Sequence, residues 1–152
     1  MRQLLTTGWA ILALATTAPA GAEPRVIELT QVPCQILQSE QGIDHGFTSH
    51  SISDCQAINQ QTGEQRLATA KTLTLKAGHY LFRVSNKNVP YELGFWLRGA
   101  GLIERARLPS ISGAGLTTGV TQDYPITLKP GEYVYSCPLN PTLDYRLVVT
   151  DG

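Results

Sequence analysis

A chain of 152 residues is long enough for one domain with a core of its own, and its 12 Lys+Arg against 12 Asp+Glu leave no net charge. That balance excludes the one-sided positive field by which proteins hold nucleic acid. With 42% hydrophobic and 16% charged residues, 14 Gly and 9 Pro, the chain is too apolar for wholesale disorder and too rich in turn formers for a helical bundle, so one β-rich domain is expected.

The N-terminus has the marks of an export signal. Met1 and Arg2 give a small positive start, residues 4–18 an apolar stretch interrupted by Thr6, Thr7, Thr16 and Thr17, and Ala18-Pro19-Ala20 or Ala20-Gly21-Ala22 a small-residue cleavage pattern. A transmembrane anchor needs about 20 strongly apolar residues, which this run does not supply. Residues 1–22 therefore read as a cleaved signal peptide and 23–152 as a single domain, periplasmic or secreted and without a membrane anchor. Cys34 lies well past the cleavage sites, which argues against a lipoprotein anchor. Three cysteines in an oxidising compartment cannot all pair within one chain. Three single pairings are open; Cys34 and Cys55 flank a polar, turn-rich segment and are the expected disulfide, leaving Cys137 free.

In chain order, residues 25–30 alternate as a first strand, and Pro33 marks a bend before a short continuation from Cys34. Residues 39–53 read as loop. Ser53 or Asp54 caps a short helix over 54–62 with Gly63 as its stop, the one helix expected. Leu73 and Leu75 alternate with polar neighbours, Ala77-Gly78 turns the chain, and Tyr80, Phe82 and Val84 share one face of the next strand, giving a hairpin-like pair. Residues 85–90 form a loop and 91–97 a further strand, in which Phe95 faces one side and Trp96 the other. The Gly- and Ser-rich stretch 99–119 reads mostly as connection, with a strand placed at 102–108. Strands at 126–129, 132–137 and 145–150 complete the set. Thr74-Leu-Lys-Ala-Gly-His-Tyr-Leu-Phe82 echoes Thr127-Leu-Lys-Pro-Gly-Glu-Tyr-Val-Tyr135, which suits two similar hairpins in a Greek-key sandwich. Tyr133, Tyr135 and Cys137 alternate on one strand face and point inward.

The segment Gly131-Glu-Tyr-Val-Tyr-Ser-Cys137-Pro-Leu-Asn140-Pro-Thr-Leu143 resembles the closing hairpin of the cupredoxins. In that family the strand delivers a thiolate to one end of a β-sandwich, the following loop supplies a His and a Met, and another His arrives from a loop after a strand ending in Asn. The resemblance covers residues 70–150 and implies an all-β Greek-key sandwich of cupredoxin type, here with one short helix in an N-terminal loop. Phe82-Arg-Val-Ser-Asn86 is similar to the strand before the first His, whose position falls on Tyr91. Cys137 keeps the Cys position, Asn140 stands three residues on, and Leu143 stands where the shortest loops carry Met. A phenol, a carboxamide and an alkyl group lack the imidazoles and axial sulfur of a type 1 copper site. The resemblance thus implies an exported binding or accessory protein, not an enzyme, with no cofactor and with a protein or small-molecule partner. The alternative is a copper-binding electron-transfer or copper-handling protein using Cys137 in a non-standard site.

Other candidates carry weaker patterns. His45 and His50 share a loop with Glu40 and Asp44 and read as solvated, and His79 reads as an exposed turn residue. Arg98, Arg105 and Arg107 form a basic cluster that reads as a solvated face. Residues 112–119 are rich in Gly, with no following Lys-Ser/Thr for phosphate binding. No Gly-x-Ser-x-Gly elbow and no base close in sequence to Cys137 point to catalysis.

Overall fold

A computed structural model describes residues 21–152, so the expected signal peptide lies outside the described residues except for its last two positions. Nine strands build the molecule: β1 Arg25–Val32, β2 Gln35–Ile36, β3 Leu73–Lys76, β4 Gly78–Asn86, β5 Leu93–Gly99, β6 Ile111–Leu116, β7 Thr121–Leu128, β8 Gly131–Ser136 and β9 Tyr145–Thr150. A 3-10 turn, Leu37–Glu40, and two helices, α1 Ile52–Thr69 and α2 Gly101–Arg107, interrupt them. One sheet has the order β2-β1-β4-β7 and the other β3-β9-β8-β5-β6. The pairs β1 with β4 and β3 with β9 are parallel, and the remaining pairs are antiparallel.

Period-two alternation sets the inner faces. Tyr80, Phe82, Val84 and Asn86 of β4 are buried between less buried neighbours, as are Tyr145, Leu147 and Val149 of β9. Between the sheets Phe82 and Phe95 approach to 5.7 Å between ring centroids and Phe95 and Tyr124 to 5.1 Å, while the paired Tyr135 and Tyr145 of β8 and β9 lie 5.8 Å apart within one sheet, all within the range for offset or tilted aromatic contact. Tyr133, Tyr135 and Cys137 all point into this core.

The echoed segments are not hairpins. β3 pairs with β9 while β4 pairs with β1 and β7, so the turn at Gly78 carries the chain from one sheet to the other. The turn at Gly131 does the same in the reverse direction, from β7 to β8. Both glycines take a positive φ, 148° and 153°, which residues with a Cβ rarely adopt.

Three further expectations are corrected. The helix placed at 54–62 is the 18-residue α1: it starts earlier because the Asp54 carboxylate accepts the His50 and Ser51 backbone N–H groups, at 2.8 and 3.1 Å. Gly63 does not stop it, because α1 crosses so close to Leu143 there that a Cβ would come within 2.9 Å of Leu143 Cδ2. The strand placed at 102–108 is α2, so the described residues hold two helices rather than one; Gly99 admits the Glu104 backbone to 2.2 Å from where its own Cβ would stand. Within the presumed connection, residues 111–116 form β6, where Gly113 lies against the ring of Tyr124.

Candidate functional site

The end of β8 with the segment after it, the end of β1 and the β4–β5 loop meet at one end of the sandwich. Strand β8 delivers Cys137 just past its last paired residue, and the chain then folds back so that the Asn140 N–H donates to Cys137 Sγ at 3.2 Å. The Gly94 N–H donates to the same sulfur at 3.4 Å. Burial pushes the Cys137 thiol above its ordinary pKa, and the amide donors from Gly94 and Asn140 offset this only in part. At neutral pH the group is therefore a thiol held in the core, not an exposed nucleophile.

Asn140 is fully buried. Its Nδ2 donates to the Val32 carbonyl at 3.0 Å and to Gln31 Oε1 at 3.5 Å, and its Oδ1 accepts the Cys34 N–H at 2.9 Å. Cys34 and Cys55 form the expected disulfide, and Cys55 Sγ touches Asn140 Oδ1 at 3.2 Å. Tyr91 closes the group from the other side. Its hydroxyl stands 3.5 Å from Asn140 Oδ1, 3.9 Å from Cys55 Sγ and 2.6 Å from Ser49 Oγ, and burial raises its pKa while the Ser49 bond acts the other way. Asn86 fixes the loop that carries Tyr91: its Nδ2 reaches the carbonyls of Val89, Tyr91 and Leu116, and its Oδ1 accepts the Val89 N–H.

The structure thus brings Cys137, Asn140 and Tyr91 together and places Leu143 in the adjoining core against Gly63 of α1. These residues do not fit type 1 copper. The carboxamide of Asn140 is committed at both ends, Leu143 offers no donor, and among the described residues no three His, Cys, Asp or Glu side chains are grouped to hold a metal ion. Sequence reasoning missed Gln31 and Ser49 as members of the group, and it placed the disulfide only as a loop staple. Gln31 is fully buried and its Nε2 donates to the Gly94 carbonyl at 2.8 Å. Its place near the end of the first strand, two residues before Pro33, was the one signal available in the sequence.

A second buried polar group lies under α1. Glu40 accepts from Arg66 Nη2 at 2.6 Å and Nε at 3.0 Å, from the Tyr145 hydroxyl at 2.5 Å, and is bonded to His45 Nε2 at 2.7 Å. Arg66 Nη2 also reaches the Cys34 carbonyl at 3.1 Å. Burial alone would raise the Glu40 pKa, but hydrogen bonds from Arg66 and Tyr145 outweigh it and hold the carboxyl below its usual value. Burial, with Glu40 beside it, drives the Tyr145 hydroxyl far upward, so it remains a donor. His45 is exposed, as expected, and is also tied to this carboxylate and stacked on Phe47 at 5.4 Å.

The remaining candidates lie apart from both groups. His50 and His79 are exposed, as expected, and His79 Nδ1 lies 2.9 Å from Thr127 Oγ1. Phe95 faces the core and Trp96 the outside. Arg98, expected on a solvated face, is buried: its Cζ lies 3.9 Å over the Trp96 ring, and its guanidinium bonds Asp144 at 2.8 Å and Ser136 at 3.0 Å. Arg105 stands over the same ring at 5.5 Å, and Arg107 pairs with Glu104. No helix among the described residues is long and apolar enough to cross a membrane.

No family model matches the sequence, and no curated protein matches it. Among solved structures, auracyanin B is similar over 88% of this chain and 93% of its own, at 15% identity and a TM-score of 0.51. Auracyanin A, described as a "blue" copper protein from the green thermophilic photosynthetic bacterium Chloroflexus aurantiacus, is similar over 84% of this chain and 100% of its own, at 15% identity and a TM-score of 0.49. Reduced rusticyanin is similar over 85% of this chain and 82% of its own, at 13% identity and a TM-score of 0.45. Likeness at such identity speaks for the fold alone. With the strand order above, the chain is a cupredoxin-like β-sandwich.

Proposed function

We propose that this chain is an exported binding or accessory protein that uses the cupredoxin sandwich without a type 1 copper site and without catalysis of its own. The observation that carries the reading is Asn140: a fully buried carboxamide, bonded to the Cys34 N–H and the Val32 carbonyl, is found at the position where the sequence resemblance expects an imidazole. Export rests on the N-terminal sequence. The outward, half-buried Trp96, with the exposed Arg105 over its ring and the buried Arg98 stacked on it, is the contact surface we assign to a protein or small-molecule partner, since Trp and Arg are favoured interface anchors. A copper titration of the purified oxidised protein, with metal content and visible absorption read on the same sample, tests the reading. It predicts no intense thiolate charge-transfer band with Cu(II) in the wild type, and a coloured site in the Tyr91→His/Asn140→His double variant. A strong band in the wild type overturns it.

One observation favours a second reading, a copper-handling or electron-transfer protein. Cys137 Sγ is already held by two backbone N–H groups, an arrangement that also suits a thiolate ligand. Full copper affinity in Cys137→Ser would remove that reading. Native-state alkylation tests the absence of catalysis by Cys137: rapid modification would reopen a thiol-enzyme reading, and resistance agrees with its burial.

A further inference from the structure

A surface helix ordinarily turns its large apolar side chains toward the core, and α2 does the reverse. None of its residues is buried, and Leu102 and Ile103 are 85% and 79% exposed, the most exposed large hydrophobic residues among those described. The helix is nonetheless firmly seated. Gly99 admits the Glu104 backbone against β5, the buried Leu108 packs over Gly131, and Arg107 donates to both Glu104 carboxylate oxygens. The fold thus holds two aliphatic side chains out in water on a braced support, and exposed apolar surface of this kind marks a contact site. We propose that Leu102 and Ile103 are the inserting tip of a peripheral membrane-docking surface, with Arg105 and Lys129 meeting the phosphates of anionic lipids.

The charges around α2 are those that an anionic surface requires. Glu104 is paired with Arg107, and Glu132 with Arg146 at 3.7 Å. Arg105 and Lys129 are exposed, and among the described residues neither has a carboxylate partner. Lys129 stands two residues before Gly131, against which Glu104 and Leu108 pack, so both free cations border the apolar tip. Inserted aliphatic side chains flanked by cations are how a protein lies on a membrane without crossing it, and no helix among the described residues is long and apolar enough to cross one.

Strand register supplies an independent argument. Arg25, Gly78, Leu128, Gly131 and Gly99 all lie at the end of the sandwich away from Cys137. The chain therefore enters the fold at the same end as α2, soon after the apolar stretch 4–18 of the sequence. Here the inference rests on the export reading: a precursor held in the membrane by that stretch hangs with the α2 end toward the lipid, and Leu102 and Ile103 keep that orientation once the stretch is cut. A second copy of the chain is the weaker occupant, since two side chains bury far less than the roughly 1,200 Å² of a stable interface. A protruding pair also suits a fluid apolar phase, which closes around any shape, better than a protein partner, which needs a pocket cut to fit.

The exported protein is purified, its N-terminus read by mass spectrometry, and mixed with vesicles of phosphatidylcholine alone or with an equal share of phosphatidylglycerol; binding is read by co-sedimentation. A leader still present in the mass spectrum defeats the reading of a cleaved signal and this inference with it, whereas the vesicles test the docking surface alone. Binding is expected on the anionic vesicles, weaker on the neutral ones and reduced by salt. Leu102→Ser/Ile103→Ser should lower it about tenfold, and Lys129→Gln about fivefold on the anionic vesicles only, with circular dichroism unchanged in each. Leu102→Trp gives a reading that needs no loss: its emission should be quenched by brominated lipid beyond the quenching of Trp96 in the parent. With the leader absent, no binding by the folded protein, equal binding to both vesicles, undiminished binding by Leu102→Ser/Ile103→Ser or an unquenched Leu102→Trp each overturns the proposal. A dimer that this double variant dissolves, without vesicle binding, overturns it in favour of a second copy.

Discussion

Glu40 shows how much of the molecule hangs on single polar side chains. Its carboxylate is buried, ion-paired to Arg66 and bonded to Tyr145 and His45, so removing the charge strands a guanidinium in the interior. Glu40→Gln should cost about 3–5 kcal/mol, as breaking a buried pair from one side does, measured by urea denaturation at neutral pH. The pH dependence follows from the direction of the shift. The folded pKa lies below the ordinary glutamate value, so the carboxylate's contribution is complete above that ordinary value and is lost as pH falls through the depressed folded one. The wild type should lose stability over this acid window, and Glu40→Gln should lose less. Parallel acid limbs in the two proteins would assign the acid lability to other carboxylates.

The same dependence on polar contacts explains what sequence periodicity missed in the elements. The inward face of α1 is Cys55, Asn59, Gly63 and Arg66, spaced four, four and three apart, and none is a large apolar residue. A helix that docks through a disulfide, a carboxamide, a close approach and a guanidinium carries no apolar stripe for a hydrophobic pattern to reveal. By contrast β4, β8 and β9 were legible because each buries alternate aromatic and branched residues. The sheet crossings at Gly78 and Gly131 were not, since a strand, a glycine turn and a strand look alike locally whether the strands pair or part. Gly131→Ala tests the crossing: at a φ of 153° the new Cβ would stand 2.7 Å from both Leu108 Cδ1 and Glu104 Oε2. The expected cost is about 2 kcal/mol, read as a lowered thermal midpoint. A neutral result would mean that α2 gives way easily and is not braced against β8. In the site, Cys137, Asn140 and Tyr91 were legible from motif spacing, whereas Gln31 and the disulfide reach Asn140 across more than a hundred residues of chain in the first case and through an unreadable helix in the second.

Over the whole molecule, closure is long-range. β9, the last strand, pairs with β3, and the two parallel pairs force the chain to bring distant segments together before either sheet is complete; such topologies fold in milliseconds to seconds rather than microseconds. The pins of α1 fall on Pro141 and Leu143 in the β8–β9 loop and on Glu40 beside β2, so α1 can dock only after the sheets have set those residues in place. The disulfide fastens α1 across a sequence separation of 21 and should stabilise the protein by about 3 kcal/mol through loop-closure entropy. If α1 docks after the rate-limiting step, the reduced chain gains equal freedom in the unfolded state and in the transition state, and the whole loss falls on unfolding. Cys34→Ser/Cys55→Ser should then leave the folding arm of the chevron in place and raise the unfolding rate about a hundredfold. A slower folding arm with unfolding unchanged would instead place the closed 34–55 loop in the nucleus, and α1 would be part of what organises the sandwich.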